Sequence, residues 1–349
     1  MKSRGEALRD YVVRRLLLMV PTFIGVTFAT FVLCQFVPGG QIDQMRMALA
    51  GAGGKGESGG AVGGARGLLD IPDEQLSLLK QYYGFDQPLH VAYGRWLANT
   101  LQGDLGRSFR YNEPVLKVIA DRMPVSLYYG IVTALFTYGL CIPLGILKAV
   151  RHRTAVDTAT SVLIFVGYAV PGFALGAVLS NLFAVQWPLF PLGGFQSGGG
   201  QAMTAGARAL DIVWHSVLPL VAYLAGSFAV ITMLMKNSLL ENMSADYVKT
   251  ALAKGLSWRR AIFGHALRNS LIPMATTVGS LLGIFLTGSF LIERVFNIPG
   301  IGMLAFEAVQ TRDFPVVMGF LVISSVLLML GNLLSDLAVA MADPRVRFE

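Results

Sequence analysis

Long apolar runs separated by polar stretches organise this chain. They fall at residues 16–37, 125–149, 159–186, 216–235, 271–292 and 315–340. Each reaches the ~20 residues that a helix needs to cross roughly 30 Å of hydrocarbon at about 1.5 Å per residue. The pattern predicts an all-α membrane protein with six transmembrane helices. The third run is long enough to be tilted or to end in an interfacial piece. Pro21, Pro143, Pro171 and Pro219 stand inside or at the ends of runs, where neighbouring helices can satisfy the backbone groups that a proline frees. The first run is too long for the apolar part of a signal peptide and no small-x-small cleavage site follows it, so it reads as a retained anchor.

Composition agrees with lipid as the main solvent. Hydrophobic residues make up 54% of the chain and charged ones 14%, with a mean hydropathy of +0.58; a soluble domain carries about 25% charge. The net charge of +7 would suit nucleic acid, but its distribution speaks for membrane orientation instead. Lys2, Arg4, Arg9, Arg14 and Arg15 precede the first run. Lys148 stands at the end of the second run with Arg151 and Arg153 just after it, and Lys236, Lys249, Lys254, Arg259, Arg260 and Arg268 lie between the fourth and fifth. Arg345 and Arg347 close the tail. These sixteen face seven acids, whereas nine acids cancel the nine basic residues of 38–123. Basic short loops stay in the cytoplasm. Both termini are therefore expected inside, in a multi-pass membrane protein.

The runs themselves are nearly free of ionisable groups. Asp336, about one turn from the inner end of the last run, and Lys148, at the inner end of the second, are the exceptions; Asp336 reads as a satisfied structural acid rather than a functional one. A proton-driven carrier or channel needs titratable or polar breaks at mid-membrane, and none appears. Cys34 and Cys141 sit in apolar runs as small hydrophobes, and the four histidines build no metal cluster. There is no His-Glu-x-x-His and no Gly-x-Ser-x-Gly. No catalytic, cofactor-binding or metal-binding residues are expected, and the energy source is sought in a partner.

Residues 38–123 form an outside segment. Within it, 50–67 is a Gly-rich linker; the phosphate-loop pattern fails there because Leu49 and Gly56 stand where Gly and Ser or Thr are required. Pro72-Asp73-Glu74 starts a helix with Leu76, Leu79 and Tyr83 on one face, stopped at Gly84. A second helix follows Pro88, with Tyr93, Trp96, Leu97 and Leu101 apolar, and ends at Gly103. The pair reads as a cap over the outer mouth or as a platform for a soluble binding protein, and both can hold at once.

The segment 239–270 is the most informative. Small residues Thr250, Ala251 and Ala253 lead from Tyr247 to Lys254 and a helix-ending Gly255; Leu256 then opens a second short basic helix that runs into the membrane. A helix–Gly–helix element suits insertion into a groove of another protein, since small side chains permit close approach and Gly permits the turn. An ordinary amphipathic surface loop would share these features.

At this segment the chain resembles the permeases of ATP-binding-cassette importers, whose cytoplasmic motif is Glu-Ala-Ala, three residues, Gly. Lys249-Thr250-Ala251 and Gly255 stand at those places. The replaced acid and the long spacing from Gly255 to Pro273 point to the oligopeptide/dipeptide class. Further matches are Arg14-Arg15-Leu16-Leu17, Phe36-Val37-Pro38-Gly39-Gly40, Tyr83 to Leu89 and Gly103-Asp104-Leu105-Gly106-Arg107-Ser108. Gly167-Tyr168-Ala169-Val170-Pro171, Glu293 to Gly302, Arg312-Asp313-Phe314-Pro315 and Asp343-Pro344-Arg345 complete an ordered set over nearly the whole chain. The Gly-rich insert and Lys236-Asn237-Ser238 look most like the subgroup that handles oligopeptides and the peptide antibiotic microcin C.

The resemblance implies the type I importer permease fold: an anchor over 1–37, the outside segment 38–123, a five-helix transport core over 124–340 and a cytoplasmic tail at 341–349. It implies a second homologous permease subunit, two ATP-binding subunits that hold the ATP, a periplasmic peptide-binding protein and a peptide substrate, with no nucleic acid. Tyr247, Thr250, Ala251, Ala253, Lys254, Gly255 and Leu256 map onto the ATPase-coupling loop. Tyr168, Phe173, Phe228 and Thr232 are candidate linings of the passage, though each suits helix–helix packing as well. Gly172-x-x-x-Gly176 and Gly279-x-x-x-Gly283 read as close helix contacts. A permease for another solute, such as nickel or glutathione, is the nearest alternative; a secondary transporter or channel is the more distant one.

Overall fold

The computed structural model describes residues 4–36, 87–198, 203–286 and 288–342. The Gly-rich linker, the helix expected from Pro72 to Gly84 and the motifs at 38–40 and 343–345 lie outside these residues. Among the described residues the chain is helical, with one isolated backbone bridge between Arg107 and Pro114.

The helices are α1 (Arg4–Phe36), α2 (Leu89–Leu101), α3 (Val115–Val150), α4 (Ala155–Ala169) and α5 (Gly172–Ser180), which continues as a π-helical turn, Asn181–Gln186. Next come α6 (Ala205–Ser244), α7 (Asp246–Ala253), α8 (Trp258–Ala261), a π turn Ile262–Ala266, and α9 (Leu267–Ser270). Then follow α10 (Ile272–Leu286), α11 (Phe290–Val295), α12 (Ile301–Gln310) and α13 (Phe314–Ala342).

Four of these are long and apolar enough to cross a membrane, in α1, α3, α6 and α13, and they coincide with the first, second, fourth and sixth apolar runs. The helices continue through Pro21, Pro143 and Pro219. The third run differs: α4 and α5 meet at 91° across Val170–Pro171. Pro171 has no N–H to offer α4, and its ring forces Val170 into extended backbone at φ −94°, ψ 123°. The fifth run also departs from expectation. Its helix α10 has 15 residues, about 22 Å at ~1.5 Å per residue, which is short of a full crossing.

The residues divide into two units. One comprises Met1–Leu18, Arg122–Met303 and Ser324–Glu349; the other comprises Met19–Asp121 and Leu304–Ile323. Among its described residues the first unit has two cores. Cys141, Met235, Leu239, Val248, Ala261 and Ile262 join α3, α6, α7 and α8 in one. Tyr129, Leu218, Tyr223, Ile292 and Phe296 join α3, α6 and α11 in the other. Gly172 and Gly176 lie where α5 meets Ala222 and Phe296, and Gly279 lies against the backbone of Gly331. Arg15 pairs with Asp336 at 3.3 Å, so that acid has a structural partner.

The second unit is built on an aromatic cluster. Tyr93 and Trp96 of α2 pack with Phe31 and Met318, and the Tyr93 hydroxyl meets Thr27 Oγ1 at 2.9 Å. Leu101, expected on the same apolar face, is instead 77% exposed. After α2 the chain turns at Gly103, and Asp313 gathers the following loop by accepting from the Ser108 hydroxyl and from the N–H groups of Phe109 and Arg110, both at 3.2 Å. Two motifs separated by some two hundred residues thus meet through one carboxylate.

Candidate functional site

The segment after α6 forms a compact helix–turn–helix. Asp246 opens α7, and the Lys249 ammonium beside its carboxylate holds that carboxyl below its ordinary range. The exit of α7 is a Schellman turn: Leu256 N–H donates to Ala251 O at 3.2 Å and Gly255 N–H to Leu252 O at 2.9 Å. This closure requires a left-handed residue at 255, and Gly255 supplies it at φ +87°. The fold of the segment therefore agrees with the element read from its sequence.

One side of this element is rooted and the other is bare. Val248, Ala261, Ile262 and Ala266 are buried against Met235 and Leu239 of α6. Ser238 and Ser270 exchange side-chain-to-backbone hydrogen bonds at 3.2 and 3.3 Å, fixing α9 to α6. On the bare side Tyr247, Thr250, Ala253, Lys254 and Gly255 are exposed, while Ala251 and Leu256 are half-buried. Trp258 and Phe263 of the same segment, which sequence reasoning did not single out, are 45% and 52% exposed. Large apolar side chains set outside an apolar run were the available signal.

A cavity of about 420 Å³ lies between the elements α5, α6 and α11. Its lining includes Phe173, Tyr223, Gly226, Ser227, Ser289 and Leu291, and carries no charged side chain. Of the four candidate lining residues, Phe173 borders this cavity and Tyr168 is exposed near the end of α4. Phe228 is half-buried against the α3–α6 core, and Thr232 is fully buried between those helices. The structure thus does not bring the four together.

Behind the cavity Glu293 of α11 is buried in a backbone cradle. Its carboxylate accepts from Met303 N–H at 2.5 Å and from the N–H groups of Gly302 and Ser289 and the Tyr223 hydroxyl. A Cβ at Gly300 would come within 2.5 Å of that carboxyl carbon, and side chains at Gly288 and Gly302 would crowd it as well. The motif from Glu293 to Gly302 is therefore a carboxylate and the glycines that make room for it. Burial pushes this carboxyl up to about 7 against the pull of its N–H donors.

A family profile described as "Binding-protein-dependent transport system inner membrane component" matches residues 141–348. The chain is 38% identical to the peptidoglycan transport system permease protein YejB of Agrobacterium fabrum, over 97% of this chain and 98% of that protein. It is 32% identical to the oligopeptide transport system permease protein AppB of Bacillus subtilis, over 97% and 99%. It is 33% identical to the dipeptide transport system permease protein DppB of Escherichia coli K12, over 97% and 98%.

Proposed function

Because the chain belongs to the family of binding-protein-dependent transport system inner membrane components, we propose that it forms half of the passage in an ATP-driven peptide importer. Membership makes it an inner-membrane permease component; the cargo and the working parts are the reading offered here. The arrangement is the six spans of the apolar runs in the type I permease fold, the fifth completed by the residues that flank α10, with both termini in the cytoplasm, the 239–270 segment facing the ATP-binding subunits and residues 72–123 facing the binding protein.

The observation that carries this reading is the rooted helix–turn–helix. Its inner side is locked to α6 through Met235 and Leu239, so a push on its bare apolar side moves α6 as a lever. ATP and the loaded binding protein can shift the permease outward only by binding that state more tightly than the inward one. Hydrolysis in the partner subunits then resets the cycle. The uncharged cavity beside Phe173 and Tyr223 is a station for cargo, and its neutral lining suits peptides of varied side chains. Two relatives are named for oligopeptides and dipeptides and one for peptidoglycan. For this chain the cargo class read from these names is short peptides, including the peptide part of cell-wall fragments.

The test is peptide uptake by cells carrying Gly255→Val. At φ +87° a β-branched residue strains the backbone by more than the ~1–2 kcal/mol of an ordinary left-handed residue, which distorts the docking turn. Membrane insertion should be unchanged while ATP-dependent uptake is lost. Normal uptake by a correctly inserted variant would remove the coupling role.

A further inference from the structure

Three helices of the first unit converge on one buried carboxylate that the passage and the loop leave unexplained. Asp157, in the first turn of α4, receives the Lys236 ammonium of α6 on both oxygens, at 2.7 and 2.8 Å. Lys148, near the end of α3, lies 3.1 Å from the same carboxylate. Its ammonium also donates to the Asp157 carbonyl, Thr160 Oγ1 and Ser161 Oγ at 2.9, 2.9 and 2.7 Å, and its side chain is 0% exposed. Arg153 N–H and the His152 ring complete the shell at 3.2 and 3.3 Å.

The position of this cluster matters more than its strength. A buried ion pair contributes little net stability relative to a well-packed apolar pair, because desolvation offsets the attraction. What it does supply is direction: an apolar contact can slide, whereas a two-oxygen contact with an ammonium holds one register. Lys236 lies between Met235 and Leu239, the two α6 residues that root the 246–270 segment. Asp157 opens α4, which runs to the Val170–Pro171 bend, and beyond that bend Phe173 borders the cavity. A continuous set of contacts thus leads from the loop to the cavity wall, with the ion pair as its only charged joint among the described residues of α4 and α6.

We propose that the Asp157–Lys236 ion pair is the positioning link through which displacement of the 246–270 segment reaches the α4–α5 bend. This rests on the reading of that segment as an ATPase-coupling loop. In use, α6 would drag the start of α4 with it and swing the bend that frames the cavity.

The experiment uses the complete complex in proteoliposomes, with binding protein and radiolabelled trialanine, and measures ATP hydrolysed and peptide accumulated in the same sample. Asp157→Asn alone strands two buried ammonium groups, so the informative variant is Asp157→Asn with Lys236→Met, which removes both members together; Lys148 keeps its carbonyl and hydroxyl partners. The double variant should assemble and retain binding-protein-stimulated hydrolysis within about twofold, while peptide moved per ATP falls by at least about tenfold. Lys236→Arg, which preserves a two-oxygen contact, should keep the wild-type ratio. An unchanged ratio in the double variant would overturn the proposal. Parallel loss of hydrolysis and uptake, or failure of the double variant to assemble, would also overturn it, since either assigns the pair to folding. If the wild-type complex itself shows no ATP-dependent uptake, the loop reading fails instead.

Discussion

Two residues show how local chemistry sets the site. Gly255 faces open space, since a Cβ there meets nothing within 4 Å; the constraint is its backbone angle alone. Asn tolerates the left-handed region better than β-branched residues do. Gly255→Asn should therefore retain part of the uptake that Gly255→Val loses, and equal loss in both would locate the constraint in the docking contact rather than in the turn. Glu293 obeys a different rule. Its carboxyl is raised from 4.5 to about 7, so the folded state holds the proton more tightly than the unfolded chain does. Stability from this group is full below pH 4.5 and is lost as pH rises through 7. Thermal unfolding of the purified complex should fall more steeply between pH 5 and 8 in the wild type than in Glu293→Gln, which has no proton to release. Parallel slopes would show that the carboxyl does not titrate in that range.

At the scale of elements, the cavity wall and the broken helix carry the argument. Gly226 lines the cavity from the middle of α6, with space for a side chain. Gly226→Leu should fill the cavity without disturbing the fold, and should reduce uptake of peptides rich in bulky apolar residues more than uptake of triglycine. Equal effects on both would place the passage elsewhere. Four long helices and the Gly255 turn were legible in the sequence because hydropathy and turn chemistry are local signals. Pro171 reads in the sequence like the other prolines, as tolerated, because a bend depends on how α5 packs against Ala222 and Phe296. Lys148, Asp157 and Lys236 were not legible. Lys148 stands at the very end of the second run, and Asp157 and Lys236 lie where α4 and α6 extend beyond the third and fourth, so two basic residues that count as loop charge are buried around an acid. Nothing in the sequence joins Asp157 to Lys236, 79 residues away. The pairing of Ser108 with Asp313 was hidden for the same reason, although each lies in a motif recognisable by itself.

The whole molecule is an inner-membrane component of a binding-protein-dependent transport system. The apolar runs carry no titratable relay at mid-membrane, and among the described residues no group of His, Cys, Asp or Glu could hold a metal ion. In the proposed function nucleotide-consuming partners do the work, and this chain converts their motion into an opening. The most direct test is transport by proteoliposomes that contain either this chain alone or the complete complex, loaded with ATP or with a non-hydrolysable analogue. The account predicts peptide accumulation only with the complete complex and hydrolysable ATP. Accumulation by the isolated chain, or by the complex with the analogue, would contradict it.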